Sequence, residues 1–228
     1  MLELFLTITL VLSVTIFYHR YFSHHSFETS RVVQFIGAVL GSLSLQGGPL
    51  WWASQHIHHH KYSDNPQDPH SPKDGLVRSH FNWFLDERNK KTRTQYVRHW
   101  MKYPELMWLN RYWYIPPIVC FLIFGTPYLL AAGLSFLIVS MLASLSHVWG
   151  TQDYNTGDTS RNNFVIAMFT MGEGWHNNHH YRPWSANHGF KWWQIDISYY
   201  VIWLASKINI VWNIKQYRGD LNDGQTTQ

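Results

Sequence analysis

The chain has one cysteine, Cys120, set in an apolar run, and that scarcity removes several kinds of chemistry. No disulfide framework can form. Zinc-finger and iron–sulfur sites are excluded, so any metal must be held by nitrogen and oxygen. The glycines form no Gly-x-Gly-x-x-Gly nucleotide loop, no Ser/His/Asp arrangement is legible, and the paired Glu-x-x-His motifs of soluble di-iron bundles are missing. Basic charge is lacking in two long stretches. None of the 18 Lys and Arg residues falls in 1–19 or in 112–160.

What is present in excess is histidine, 15 of 228 residues, together with 13 each of Trp, Tyr and Phe. The length suits one domain with a sizeable core, taken here as residues 1–218 with a disordered tail at 219–228. A mean hydropathy of −0.24 does not announce a membrane protein, but the polar residues are segregated. Residues 2–18 (LELFLTITLVLSVTIFY) carry one charge, Glu3, and are just long enough to span about 30 Å of hydrocarbon. A cleaved leader is the competing reading, but no basic stretch precedes this segment and no small-x-small site follows it. Residues 113–124 and 128–149 read as two membrane helices broken at Gly125-Thr126-Pro127. With one crossing and one hairpin, every Lys and Arg lies on one side, which the positive-inside rule makes the cytoplasm.

Residues 32–52 could also span, but crossing there would send His19 and His56 to opposite faces, so the expectation is an interfacial helix. Residues 192–214 mix Trp, Tyr and Ile with Asp196, Lys207 and Asn209, as an interfacial amphipathic helix would. The C-terminal part, 161–214, is expected on the cytoplasmic face or in the interface. The fold class expected is an all-α integral membrane protein, with membrane and interfacial helices and a cytoplasmic helical cap. The basic loop 88–102 (RNKKTRTQYVRHWMK) is read as a contact for anionic lipid, with docking of an acidic electron donor as a second use. Nucleic acid is not an expected partner, because the charge faces a membrane.

The histidines gather in "HRYFSHH" (19–25), "QHIHHH" (55–60) and "GEGWHNNHH" (172–180). Residues three and four apart share a helix face. His56, His59 and His60 have that spacing, as do His176, His179 and His180; His58 falls off the face. His19 and His24, five apart, diverge on a continuous α-helix, so a helix end near His19 is expected to swing His24 back. His147 stands at the cytoplasmic end of the hairpin, level with the clusters. A single histidine at an interface is ordinarily a polar anchor, but three clusters on one membrane face point to metal. Nine histidines are too many for one ion, so two are expected. Imidazole suits Zn, Cu, Fe and Ni; an all-nitrogen pair of metals beside lipid points to iron and oxygen activation. Glu173, between Gly172 and Gly174, sits in a turn rather than in a helical His-Glu-x-x-His site.

In these residues the chain resembles the membrane fatty acid desaturases, in particular the acyl-CoA (stearoyl-CoA-like) delta-9 branch. HRYFSH (19–24), HIHHH (56–60) and HNNHH (176–180) give its three boxes, with "DPHSPKDGLVRSH" (68–80), "SLSHVWG" (144–150) and "GEGW" around them. The likeness covers roughly 5–205. Gln46-Gly47-Gly48-Pro49 resembles bacterial and cyanobacterial relatives, which implies a bacterial inner membrane or its equivalent. The resemblance implies two irons: one on His19, His24, His56, His60 and His179, the other on His59, His147, His176 and His180. It leaves His25, His58, His70, His80, His99 and His188 outside the ligand set, His70 and His80 serving as outer or loop contacts. Asp64, Asp68, Asp158 and Glu173 are candidates to orient ligand rings, though each is equally well a solvated loop carboxylate.

The activity implied is O₂-dependent insertion of a cis double bond, at delta-9, into a saturated acyl chain. The acyl carrier is CoA or a lipid. No fused cytochrome domain is present, so electrons come from an external donor such as a ferredoxin or a small cytochrome. No catalytic side chain beyond the metal centre is called for. An apolar tunnel would set the carbon that reacts, with Trp51, Trp52, Trp149 and Trp175 as candidate walls or as ordinary interfacial packing. The chain departs from the family in three places: one apolar segment precedes box one instead of two, Ala143 stands where many members have Asn, and Ser54-Gln55 stand where animal members have Arg-Asp. A di-iron hydroxylase or ketolase, and a non-catalytic metal-binding membrane protein, are the alternative readings.

Overall fold

The computed structural model describes residues 1–219, so all of the expected tail but Gly219 lies outside the described residues. An α-helix, Leu2–Ser13, opens the chain and runs without interruption into a π-helix, Val14–Ser23. Its hydroxyls are absorbed locally. Thr7 Oγ1 donates to the Glu3 carbonyl (2.8 Å) and Ser13 Oγ to those of Leu10 (2.7 Å) and Leu40 (3.1 Å), so no donor faces an apolar surround unpaired. The helix does not end near His19, as the sequence reading expected; it widens and carries on to Ser23.

Two partners pack against this first helix through small residues. Arg31–Ser42 offers Gly37 and Gly41. A methyl group on Gly37 would meet the Phe17 ring at 2.0 Å, and one on Gly41 would meet Tyr18 at 2.2 Å. Thr126–Ser140 supplies Tyr128, Ala131 and Ala132, which bury Leu10. Small side chains let the helix backbones approach closely.

The stretch 32–52, expected as one interfacial helix, is two. Arg31–Ser42 stops, Leu45 and Gly47 take positive φ (60° and 85°), and Pro49 restarts a helix, Pro49–Tyr62. Proline at the first helical position loses nothing, because its missing N–H would have no partner there. The turn is fixed by the Tyr18 hydroxyl, which donates to the Gly47 carbonyl (3.0 Å).

Residues 63–103 form an irregular layer of short helical turns over this helix. After Pro104–Arg111 come Ile115–Phe124 and Thr126–Ser140, joined at Gly125, whose φ is +62°. The hairpin break lies where the sequence put it. Two segments, Leu2–Ser23 and Thr126–His147, are long and apolar enough to cross a membrane. Ile115–Phe124, expected as a membrane helix, has ten residues; it rises about 15 Å, half the hydrocarbon thickness. Leu122, Ile123 and Leu130 of the hairpin are exposed at 76%, 67% and 66%.

At the C-terminal side the helix is Ile197–Lys207, shorter than the 192–214 expected, because Asp196 caps it, accepting the Tyr199 N–H (3.0 Å). The following residues pair Val211–Trp212 antiparallel with Glu28–Thr29. This ribbon and the isolated bridges Thr151–Asn162 and Asn162–Trp175 depart from an all-α fold, and the ribbon pins the C-terminal segment to the loop after box one.

Candidate metal centre

The π-helix answers how box one works. With i→i+5 hydrogen bonds, residue i+5 stands over residue i, so the His19 and His24 rings approach to 5.0 Å between centroids. Box two rides on Pro49–Tyr62 and box three on the short helix His176–Tyr181. His147 ends a turn of 3₁₀-helix, Leu145–His147.

Nitrogens from His19, His24, His56, His60 and His179 lie within 4.8 Å of one another, and so do those of His59, His147, His176 and His180. The two groups have the membership that the resemblance implies, and a third candidate metal-holding group, His59, Asp68 and His70, shares His59 with the second. In the first group, Nε2 atoms of His19 and His179, His24 and His56, His56 and His60, and His60 and His179 stand 2.9, 2.8, 3.0 and 2.9 Å apart. In the second, His147–His176 and His176–His180 are 3.2 and 3.0 Å.

These spacings fit metal. First-row metal–imidazole bonds of about 2.0–2.1 Å at right angles place neighbouring nitrogens about 3 Å apart. His59 Nε2 is buried with no hydrogen-bond partner among the described residues, as a lone pair aimed at an ion would be. Burial pushes His24, His56, His60, His176 and His179 well below the usual histidine range, with neighbouring imidazoles adding to it, and lowers His180 to about 4. These six rings are thus held toward the neutral form that binds metal, whereas at His59 burial is outweighed by Asp68, Asp158 and Asp64, which favour the charged ring.

All four candidate carboxylates stand behind these rings. Glu173 Oε2 is 2.6 Å from His19 Nδ1, Asp68 Oδ1 2.9 Å from His59 Nδ1, Asp158 Oδ2 2.6 Å from His180 Nδ1 and Asp64 Oδ2 3.6 Å from His147 Nδ1. Burial disfavours their charge, but the facing histidines overcome it. Asp64, Asp68, Asp158 and Glu173 are all held well below the ordinary carboxylate range. Asp68 and Asp158 accept from Nδ1–H, which fixes the tautomer that turns Nε2 inward; Asp64, at 3.6 Å and with the Thr159 hydroxyl nearer, acts on His147 through its charge.

The remaining histidines are outside the two groups. His58 Nδ1 lies 3.1 Å from the Tyr96 hydroxyl and His80 Nδ1 2.8 Å from Ser144 Oγ. His25 stacks on Trp100 beside His99. His70 is closer in, its ring 4.2 Å from that of His59. His188 packs on His179 at 4.4 Å, its Nδ1 3.4 Å from Glu173.

Some supporting residues escaped the sequence reading. Arg20 is fully buried; it donates to Glu173 (3.1 and 2.9 Å), Asp196 (3.0 Å) and the Ala186 carbonyl (2.6 Å). An arginine at the end of an apolar run, beside a candidate ligand, was the available signal. Asn177 Oδ1 accepts the N–H groups of Asp153 and Tyr154, while Asn178 Nδ2 donates to the His188 carbonyl (2.8 Å) and Gln194 Oε1 (2.9 Å). Both asparagines sit inside HNNHH.

A cavity of about 410 Å³ opens beside both groups, reaching His56, His59 and His176. Trp51 and Trp52 line it, with Phe84, Phe136 and Leu142, and so does Ala143. Trp52 stacks on His56 at 5.0 Å. Trp149 and Trp175, the other candidate walls, do not line it. Trp149 is 54% exposed, and Trp175 is buried against Trp193, donating to the Ile195 carbonyl. Ser54 and Gln55 knit the 88–93 loop to box two: Ser54 Oγ accepts the Arg93 N–H, and Gln55 Nε2 donates to the carbonyls of Asn89 and Lys91.

Residues 1–203 match the fatty acid desaturase family. The chain is 37% identical over 217 residues to the acyl-CoA C20 Delta5-desaturase of Anemone leveillei, covering 90% of this chain and 70% of that protein. It is 35% identical over 220 residues to the chloroplastic palmitoyl-monogalactosyldiacylglycerol delta-7 desaturase of Arabidopsis thaliana, covering 91% and 59%. It is also 35% identical over 223 residues to delta-9 acyl-lipid desaturase 1 of Arabidopsis thaliana, covering 90% and 71%. The chain thus spans between about three fifths and seven tenths of these relatives. Their names agree on one oxidoreductase chemistry and differ in carbon position and acyl carrier, and a match running over most of the chain makes this protein a member of the fatty acid desaturase family.

Proposed function

We propose that the protein desaturates a saturated acyl chain, using O₂ and externally supplied electrons, at a centre of two irons held by the nine grouped histidines. The observation that carries this reading is the placement of two imidazole groups at the wall of an apolar cavity. An unactivated alkane offers no acid, base or nucleophile a handle, so the oxidising power must come from a cofactor while the protein positions the chain. When bound, the two irons supply that power with O₂. The protein's own part is mechanical and electrostatic: Trp51, Trp52, Phe84, Phe136 and Leu142 exclude water and seat the chain, His56, His59 and His176 bring the donors to its side, and the four carboxylates hold the rings in register.

We assign the double bond to delta-9, following the box pattern and its resemblance to that branch. The relatives named for delta-5 and delta-7 mark the competing positions. We further propose a multi-pass membrane protein with the histidines on the cytoplasmic side. Two long apolar helices, and the absence of Lys and Arg from residues 1–19 and 112–160, support this. Lipid contacts fall to the exposed hairpin and to the basic loop.

Expression in a bacterial host with a competent electron donor, followed by mass spectrometry of total acyl chains beside His179→Ala, tests the reading. A delta-9 olefin that needs air and is lost in the variant is the expected result. An alcohol in its place would make the protein a hydroxylase, and iron bound with no oxidised product would end the catalytic reading.

A further inference from the structure

The two histidine groups differ in what stands behind them. Three carboxylates back the group of four: Asp68 behind His59, Asp158 behind His180 and Asp64 behind His147. Their other partners are neutral. Asp64 takes the Thr159 N–H and hydroxyl (2.7 Å each), Asp68 the N–H groups of Asp64 and His70, and Asp158 the hydroxyls of Thr156 and Ser160. Among the described residues no Lys or Arg side chain pairs with any of the three carboxylate groups, although Lys73 Nζ donates to the Asp64 main-chain carbonyl. In the group of five, only His19 has a carboxylate behind it, Glu173, and Arg20 binds that carboxylate through two nitrogens while also pairing with Asp196. No carboxylate of the described residues lies against His24, His56, His60 or His179. The fixed charge is therefore about −3 on one side and, with Arg20, Glu173 and Asp196 taken together, about −1 on the other.

We infer that the four-histidine group is the tighter cation site of the two and fills first, although it has one donor fewer. The inference rests on reading both groups as metal sites. Negative charge in a buried setting attracts a dication strongly, and a carboxylate on Nδ1–H makes Nε2 a better donor. Each such partner is worth about 10–100-fold in metal affinity. The two hydrogen-bonded carboxylates Asp68 and Asp158, with the nearby charge of Asp64 and none of them neutralised by an arginine, outweigh one additional imidazole. Asp64, Asp68 and Asp158 are on this account positioning and tuning residues, not ligands.

The test is calorimetric and spectroscopic titration of the metal-free, detergent-solubilised full chain with Co²⁺ alone. Two steps are expected, the tighter at least about tenfold stronger. His180→Ala should abolish the tighter step and His24→Ala should leave it. Asp158→Asn should weaken it about 10–100-fold, with Asp158→Glu restoring part of the loss, whereas Glu173→Gln should move only the weaker step. Two equal steps, or a tighter step that survives in His180→Ala and disappears in His24→Ala, overturn the inference. The two histidine variants decide the matter even where Asp158→Asn fails to fold. No Co²⁺ binding at all would sink the metal reading itself, a result distinct from equal steps.

Discussion

His56, His59 and His60 stand on a fourteen-residue helix, whereas His176, His179 and His180 have the same spacing on a helix of six. A helix of fourteen residues, packed on its neighbours, keeps its own face. One of six cannot, since nucleation alone costs more than so few hydrogen bonds return. Box three is therefore held from outside. Asn177 and Asn178 tie it to three loops, Arg20 locks the preceding Glu173, and Gly174 lies so close to Ala167 that a methyl group would meet its backbone nitrogen at 2.1 Å. Identical spacing in the sequence thus conceals two modes of support, one intrinsic and one borrowed.

Substitutions at the borrowed supports should break box three and leave box two standing. The largest effect is expected from Arg20→Met, which strands Glu173, Asp196 and the Ala186 carbonyl in the interior. Unpairing a buried charge in this way costs about 3–5 kcal/mol, to be read as a lowered denaturation midpoint in detergent together with lost metal. Asn178→Ala should follow, at about 3 kcal/mol, since it takes the partner from the His188 carbonyl and the Asn162 amide and one of three donors from Gln194 Oε1. Metal stoichiometry by mass spectrometry should fall in step, and a variant that kept both metals would show that box three supports itself. The smallest effect belongs to box two. His58→Ala removes the contacts with Tyr96 and with the Tyr62 ring, should cost about 1 kcal/mol, and should leave metal binding and any oxidised product unchanged.

Legibility followed the range of the interaction. The spacing of boxes two and three, the off-face position of His58 and the hairpin at Gly125 are local properties, and all are visible in the sequence. Box one misled because the expectation assumed α-helical geometry; the five-residue interval between His19 and His24 fits a π-helix, which no residue preference announces. The split of 32–52 was signalled by Gln46-Gly47-Gly48-Pro49, but was masked by the apolar residues on either side. Of the four tryptophans considered as walls, only Trp51 and Trp52, on the box-two helix itself, face the cavity; Trp149 and Trp175 are placed by loops whose course the sequence does not reveal.

By itself the sequence determined the donor chemistry, the three clusters and the segregation of charge from apolar helix, because each depends on residue type and near-neighbour spacing. Only the tertiary structure decided which histidine faces which across as many as 160 residues, and which carboxylate backs which ring. It also decided that Arg20 pairs with Glu173 and Asp196 behind one histidine group, while the carboxylates behind the other have no arginine partner among the described residues. Those choices come from burial, where an unpaired charge or an unsatisfied donor is too costly to leave, and burial is a property of the packed chain as a whole.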